Sequence, residues 1–274
     1  MSESGDRKTI FITGAASGIG RATAQTFAER GWYVGLYDVN QQGLVTVAGE
    51  IGEDNCCLQL LEVRDMNSWQ SAVAHFAGHT GGRMDMFFNN AGILRVGRFE
   101  DVRLEHAEAL IDINVKGVIK GIYATLELLK QTAKNHGKAR ILNTASLAGL
   151  YGVPSQAVYS ASKFAVRSLT ESLSIEFARY NIDVADLMPS FIETPMVVDA
   201  VEGTNRAVKE MYADPGDIAP VSLVAEEAWA AANETVLHRP VGKPARRVKR
   251  IVGLFPGYVR KLYGSFYDTF DGQP

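Results

Sequence analysis

The sequence predicts an α/β protein built on one doubly wound parallel sheet, a single domain with a helical C-terminal extension. Three observations predict it. Short β-rich apolar runs alternate with longer helical patterns through the first 190 residues. The runs are apolar on both faces, as strands covered by helices from above and below must be. And 274 residues, 46% hydrophobic and 22% charged, suffice for one sizeable core.

In chain order, the strand runs are TIFIT (9–13), YVGLYD (33–38), CCLQLLEV (56–63), MDMFFNN (84–90), ARILNTAS (139–146) and DVADLMP (183–189). Helical patterns lie between them at GRATAQTFAER, around 66–79, over about 101–135 and over about 156–180. No repeat, low-complexity tract or linker interrupts this rhythm before residue 190. After it come a loop-like stretch, 190–215, expected to cover a bound substrate, and an Ala-rich helix around 221–235. The extension over 240–274 is basic and aromatic, and GKPARRVKRIVGLFPGYVRKLYGSFY within it contains no acid. It reads as a helical pair capping the sheet with solvated basic faces, or as a substrate lid or membrane-surface helix.

A formal net charge of -3 gives no reason to expect binding to nucleic acid, and points to a small-molecule partner. The only cysteines, Cys56 and Cys57, are adjacent, which fits neither a spaced disulfide framework nor a C-x-x-C pair and suggests a reducing compartment. The start, MSESGDRK, has no signal-peptide pattern, and no segment approaches the roughly 20 apolar residues of a membrane span. A cytoplasmic, soluble protein is expected. His75 and His79 are four apart and could share a helix face as metal ligands, but no nearby acid completes an H-E-x-x-H pattern; a solvated face is the simpler reading. The sequon at Asn233 carries little weight without a secretion signal.

Between the first strand and first helix, ITGAASGIGRA places Gly14, Gly18 and Gly20 where a backbone must turn tightly, approach a pyrophosphate and pack helix on strand. Ser17 and Ile19 stand at the opening of that helix, whose amide groups favour an anion. The second strand ends in Asp38-Val39, and Asp38 lies eighteen residues after Gly20. A carboxylate there can accept from adenosine ribose hydroxyls and would repel a 2'-phosphate, which favours NAD over NADP; it could also cap the following helix.

VYSASKFAV (158–166) sets Tyr159 and Lys163 one helical turn apart on one face. Hydride exchange between an alcohol carbon and a nicotinamide needs a base for the hydroxyl proton. A tyrosine with a pKa near 10 is a poor base, and an ammonium beside it is expected to lower that value. Ser146, ending the fifth strand, can hold a substrate oxygen beside the phenol. Its surroundings, NTASLAG, lack the G-x-S-x-G of a nucleophile elbow.

With TGAASGIG, Asp38, NNAG (89–92), Ser146 and YSASK (159–163) present in order, the chain to about residue 195 resembles the short-chain dehydrogenase/reductase family, in its short single-domain branch. The resemblance implies a Rossmann-type fold, an NAD-dependent oxidoreductase acting on a secondary alcohol or ketone, and a dimer or tetramer. INVKG supplies Asn114, implied to help hold a water in a proton relay, and Lys163 is implied to contact the nicotinamide ribose. Asn90, Ala91 and Gly92 are implied to contact the adenosine half, and Thr194 to hold the nicotinamide carboxamide with Pro189 and Ile192 nearby. Two departures stand out. LEVRD offers Glu62-Val63 where the family has Asp-Val, with Asp65 as a substitute, and Pro189-Ser190 replaces Pro-Gly. An apolar substrate is expected, because SFIETPMVV and the aromatic tail offer mainly hydrophobic contacts. The competing readings are a non-catalytic NAD-binding sensor or scaffold, and a sugar-nucleotide epimerase or dehydratase, for whose larger C-terminal domain the chain is too short.

Overall fold

Every residue of the first strand, β1 (Thr9–Thr13), is buried, and its side chains divide between two cores. Phe11 enters one with Trp69, Phe76 and Phe87, stacking on Tyr37 at 3.9 Å between ring centroids. Ile10 and Ile12 enter the other with Phe27, Leu44 and Phe88. A strand apolar on both faces can be satisfied only by helices on both sides of the sheet. The computed structural model describes residues 7–197, 218–255 and 257–261.

The strands β2 (Tyr33–Asp38), β3 (Cys56–Leu60), β4 (Met86–Asn89), β5 (Ala139–Thr144), β6 (Ile182–Pro189) and β7 (His238–Val241) join β1 in one sheet of order β3-β2-β1-β4-β5-β6-β7. All pairings are parallel. Helices α1 (Gly18–Glu29), α2 (Gln41–Ile51) and α7 (Val221–Asn233) cover one face. Helices α3 (Met66–Thr80), α5 (Val118–His136) and α6 (Ala157–Glu176) cover the other. The short α4 (Leu104–Ile111) leads into α5 through a π-helical turn, Asp112–Gly117. After β7, α8 (Lys243–Val252) packs against β7 and the turn Leu147–Gly149, with Ala245 and Val248 buried. From β1 the chain moves outward to β2 and β3, then returns to place β4 on the other side. That reversal opens a crevice at the strands' carboxyl ends, between β1 and β4.

The expected strands form, with the ends at 60, 89 and 144 rather than 63, 90 and 146. The pattern over 101–135 resolves into α4, the π turn and α5. Two elements lie outside the sequence expectations. In α2, Gly43 and the β-branched residues of QQGLVTVAGEI weaken the helical signal. Gly43 is there because a Cβ would come within 2.7 Å of the Ala16 side chain. In β7, HRPV is short, polar and contains Pro240, which an edge strand tolerates because its outer side has no ladder to complete. The expected covering stretch falls largely on residues 198–217, and the end of the extension on 262–274, all outside the described residues. Among the described residues, no helix is long and apolar enough to cross a membrane.

Candidate active site

The crevice is a cavity of about 1070 Å³ at the carboxyl ends of the strands. One end is built by the turn after β1. Gly14 and Gly18 have positive φ of 68° and 50°, a conformation that glycine adopts without cost. A Cβ on Gly20 would lie 2.0 Å from the Gly14 carbonyl oxygen, so α1 can start against the turn only with glycine there. Asn90 fixes the other flank: its side chain donates to the Thr13 carbonyl at 3.0 Å and accepts from the Thr144 hydroxyl at 3.0 Å. Thr13 Oγ1 in turn accepts from the amides of Asn90 and Ala91. Thr194 closes over Gly18, where a Cβ would meet its methyl at 3.2 Å. The result is a backbone-lined cradle at a helix N-terminus, fitted to a pyrophosphate.

Asp38 stands beside the cradle. Its carboxylate accepts from the Ala16 amide at 3.1 Å and from the Asn40 amide at 3.0 Å, bracing the turn while still lining the cavity. It does not cap α2; Asn40 does, accepting from the Gly43 amide. Further along this end, Glu62 forms a bidentate pair with Arg64, which holds its carboxyl below the usual carboxylate range. Asp65 stands outside the cavity lining, its two oxygens capping α3 through the amides of Asn67 and Ser68.

At the other end, α6 carries Tyr159 and Lys163. Lys163 is buried, donates to the Thr144 carbonyl at 2.8 Å and lies 5.7 Å from the centre of the Tyr159 ring. Burial lowers its pKa from 10.5 to about 8. Ser146 lines the same cavity wall as Tyr159, and its Oγ accepts from the Ala148 amide at 3.1 Å. The expected lowering of the Tyr159 pKa by Lys163 is not what this geometry produces. Burial raises it, with the neighbouring Ser146 hydroxyl only partly offsetting the rise. The physical reason is that the Tyr159 phenol is packed among protein atoms of the cavity wall, where a phenolate loses more solvation than these neighbours return.

Of the catalytic and cofactor-binding residues singled out from the sequence, all line the cavity except Gly20, Asn114 and Asp65. Gly20 acts beneath the turn. Asn114, fully buried in the π turn, exchanges hydrogen bonds with Ile93, accepting from its amide and donating to its carbonyl, both at 2.9 Å. It also donates to Ser162 on α6. It thus ties the segment after β4 to the helix bearing Tyr159, and a Cβ on Gly92 would lie between its Oδ1 at 3.1 Å and Lys163 Nζ at 3.6 Å.

Sequence reasoning missed four contributors. Thr13 and Thr144 act from inside strand runs that look purely structural. Lys243 and Arg247 of α8 line the cavity and have no ion pair or hydrogen bond among the described residues. The only signal for them was the acid-free tail.

A parallel sheet with a glycine-rich phosphate cradle at its switch point and a Ser-Tyr-Lys cluster across the crevice defines a nucleotide-binding oxidoreductase. Residues 8–205 match the model of the short chain dehydrogenase family. The chain belongs to that family. It is 37% identical over 202 residues to the oxidoreductase UcpA of Salmonella typhimurium, covering 72% of this chain and 74% of that one. It is 30% identical over 257 residues to levodione reductase of Leifsonia aquatica, covering 87% and 94%. Among solved structures it superposes on 3-ketoacyl-(acyl-carrier-protein) reductase from Brucella melitensis, complexed with NADH, with a TM-score of 0.77 and 29% identity over 86% of this chain and 96% of that one. Solved chains of this shape hold NADH or NADPH.

Proposed function

We propose that this protein is an NAD-dependent oxidoreductase that exchanges hydride between a secondary alcohol or ketone and the nicotinamide, with Tyr159 as general acid/base. The observation that carries this reading is the gathering of Ser146, Tyr159 and buried Lys163 in one wall of the cavity that begins at the glycine-rich cradle. When bound, the nicotinamide supplies the hydride acceptor or donor. Gly14, Ser17, Gly18 and Ile19 would hold the pyrophosphate, Asp38, Val39, Glu62 and Val63 the adenosine, and Pro189, Ile192 and Thr194 the nicotinamide.

Ser146 orients the substrate oxygen towards the phenol. In alcohol oxidation the Tyr159 oxygen takes the hydroxyl proton as the hydride leaves carbon; in ketone reduction it returns one. Lys163, poised near its own titration point, supplies positive charge that favours the phenolate once the site is desolvated around substrate. Asn114 is a positioning residue, holding the Ile93 backbone and the α6 helix in register.

The cavity wall near the substrate is largely apolar, from Leu94, Leu147, Val153 and Phe191. Two cations without an ion pair or hydrogen bond among the described residues, Lys243 and Arg247, add a place for a carboxylate or similar group. The substrate read from this wall is a largely apolar alcohol or ketone with an anionic end. Levodione reductase and the ketoacyl reductase, both named for carbonyl reduction, agree with the reaction class. A homo-oligomer is proposed on the same resemblance.

The test is a panel of secondary alcohols and ketones, in matched pairs with and without a carboxylate, followed by NADH absorbance. Tyr159→Phe should lower kcat by about 10²–10⁴ while NAD binding is unchanged, and the carboxylate member should have the higher kcat/KM. Turnover undiminished in Tyr159→Phe would reject the assignment of the acid/base.

A further inference from the structure

Outside the cavity, one cluster of metal-binding side chains takes no part in the reaction. His75 and His79 stand four apart on α3 with ring centroids 4.4 Å apart. The sequence assigns them to a solvated face, but α3 packs on β3, and the strand presents Cys57 to them. One donor atom each from Cys57, His75 and His79 lie within 4.8 Å of one another, a grouping no sequence spacing reveals. We propose that these three side chains bind a single divalent transition-metal ion of the zinc class, as one sulfur and two nitrogen ligands with a fourth position open to water.

The donor set selects the ion. A thiolate with two imidazoles suits zinc and cobalt, whereas magnesium and calcium require oxygen ligands. Metal–sulfur and metal–nitrogen lengths of about 2.3 and 2.0 Å place tetrahedral donors about 3.3–3.8 Å apart. The cluster is therefore open by roughly 1 Å, which the exposed His79 can close by side-chain rotation.

Two further features fit a ligand set. His79 Nδ1 lies 2.9 Å from the His75 carbonyl; donating its N–H there leaves Nε2 as the metal-binding nitrogen. Tyr37 Oη lies 3.1 Å from His75 Nδ1 and 3.7 Å from Cys57 Sγ, bridging two of the ligands from behind. Such outer hydrogen bonds fix ring orientation and tautomer in metal sites. Cys57 is buried, His75 half-buried and His79 exposed, so the cluster opens to solvent along one line and gives an ion its entry path.

Proton accounting is simple. Burial pushes the Cys57 thiol up to about 11, so without metal it keeps its proton. Burial, and then the neighbouring His79, lower the His75 pKa. Binding breaks the S–H bond, forms a metal–sulfur bond and releases one proton to solvent, with no change of oxidation state.

The experiment titrates cobalt(II) into the full-length, chelator-treated protein. One cobalt per chain is expected, with a sulfur-to-cobalt charge-transfer band, four-coordinate visible bands, one proton released, and displacement by zinc(II). Cys57→Ser should remove the charge-transfer band. His79→Ala, at an exposed position that leaves the core untouched, should weaken binding at least about tenfold. Cys56→Ser should leave the band intact, because Cys56 belongs to the opposite core. Wild-type protein without the band, a band that survives Cys57→Ser, or undiminished affinity in His79→Ala would each overturn the proposal.

Discussion

Buried Lys163 makes the fold less stable at neutral pH. Its pKa in the folded protein, about 8, is below the ordinary 10.5. Between these values the unfolded chain holds a proton that the folded chain has lost, so this group makes stability rise with pH from about 8 to 10.5. Below about 8 both states are protonated and the folded state bears the whole cost of burying the charge. Lys163→Met should therefore be more stable than wild type at pH 7 by about 1–3 kcal/mol, after losing the bond to Thr144. The gap should narrow between pH 8 and 10 in urea unfolding; a gap that stays constant would assign the effect to packing instead. At Asp38 the reading concerns specificity. Asp38→Ser should raise the ratio of NADP to NAD utilisation by about tenfold or more, equivalent to about 1.4 kcal/mol. Steady-state kinetics with both cofactors checks this, and a wild type that already uses both equally would refute it.

At the scale of elements, the first turn and the π turn do different work. Gly20 is set by backbone contact, so Gly20→Ala should destabilise the protein by about 1–3 kcal/mol or more and weaken NAD binding, measured by urea midpoint and calorimetry. The turn was legible because glycine spacing after a strand run is a local feature. Asn114 was legible only as part of a motif. Its position in a π turn, and hence its hold on Ile93 rather than a place in the cavity wall, follows from the extra residue accommodated between α4 and α5, which a periodicity of 3.6 cannot register. For β7 the pairing with β6 decides the structure, since four residues containing proline carry little strand signal of their own.

For the whole molecule, the outer surface bears on assembly. Tyr123 on α5 and Phe164 and Ile175 on α6 are large, exposed and on the same side of the sheet. Such side chains, if covered by a second copy, would drive association. Sedimentation of the wild type should show a dimer or tetramer, and Tyr123→Glu with Ile175→Glu should shift it towards monomer with Tm lowered. A monomeric wild type would remove this surface from consideration. NAD at a hundred times its Kd should add about 2.7 kcal/mol to unfolding stability.

By itself the sequence determined the strand order of events along the chain, the phosphate cradle and the Tyr159–Lys163 pair, because these depend on residues close in sequence whose spacing obeys helix and strand geometry. The tertiary structure alone decided that burial raises the Tyr159 pKa, that Lys243 and Arg247 reach the cavity, and that Cys57 meets His75 and His79. Each depends on distances and exclusion of water between segments far apart in the chain, which only the packed sheet and its helices set.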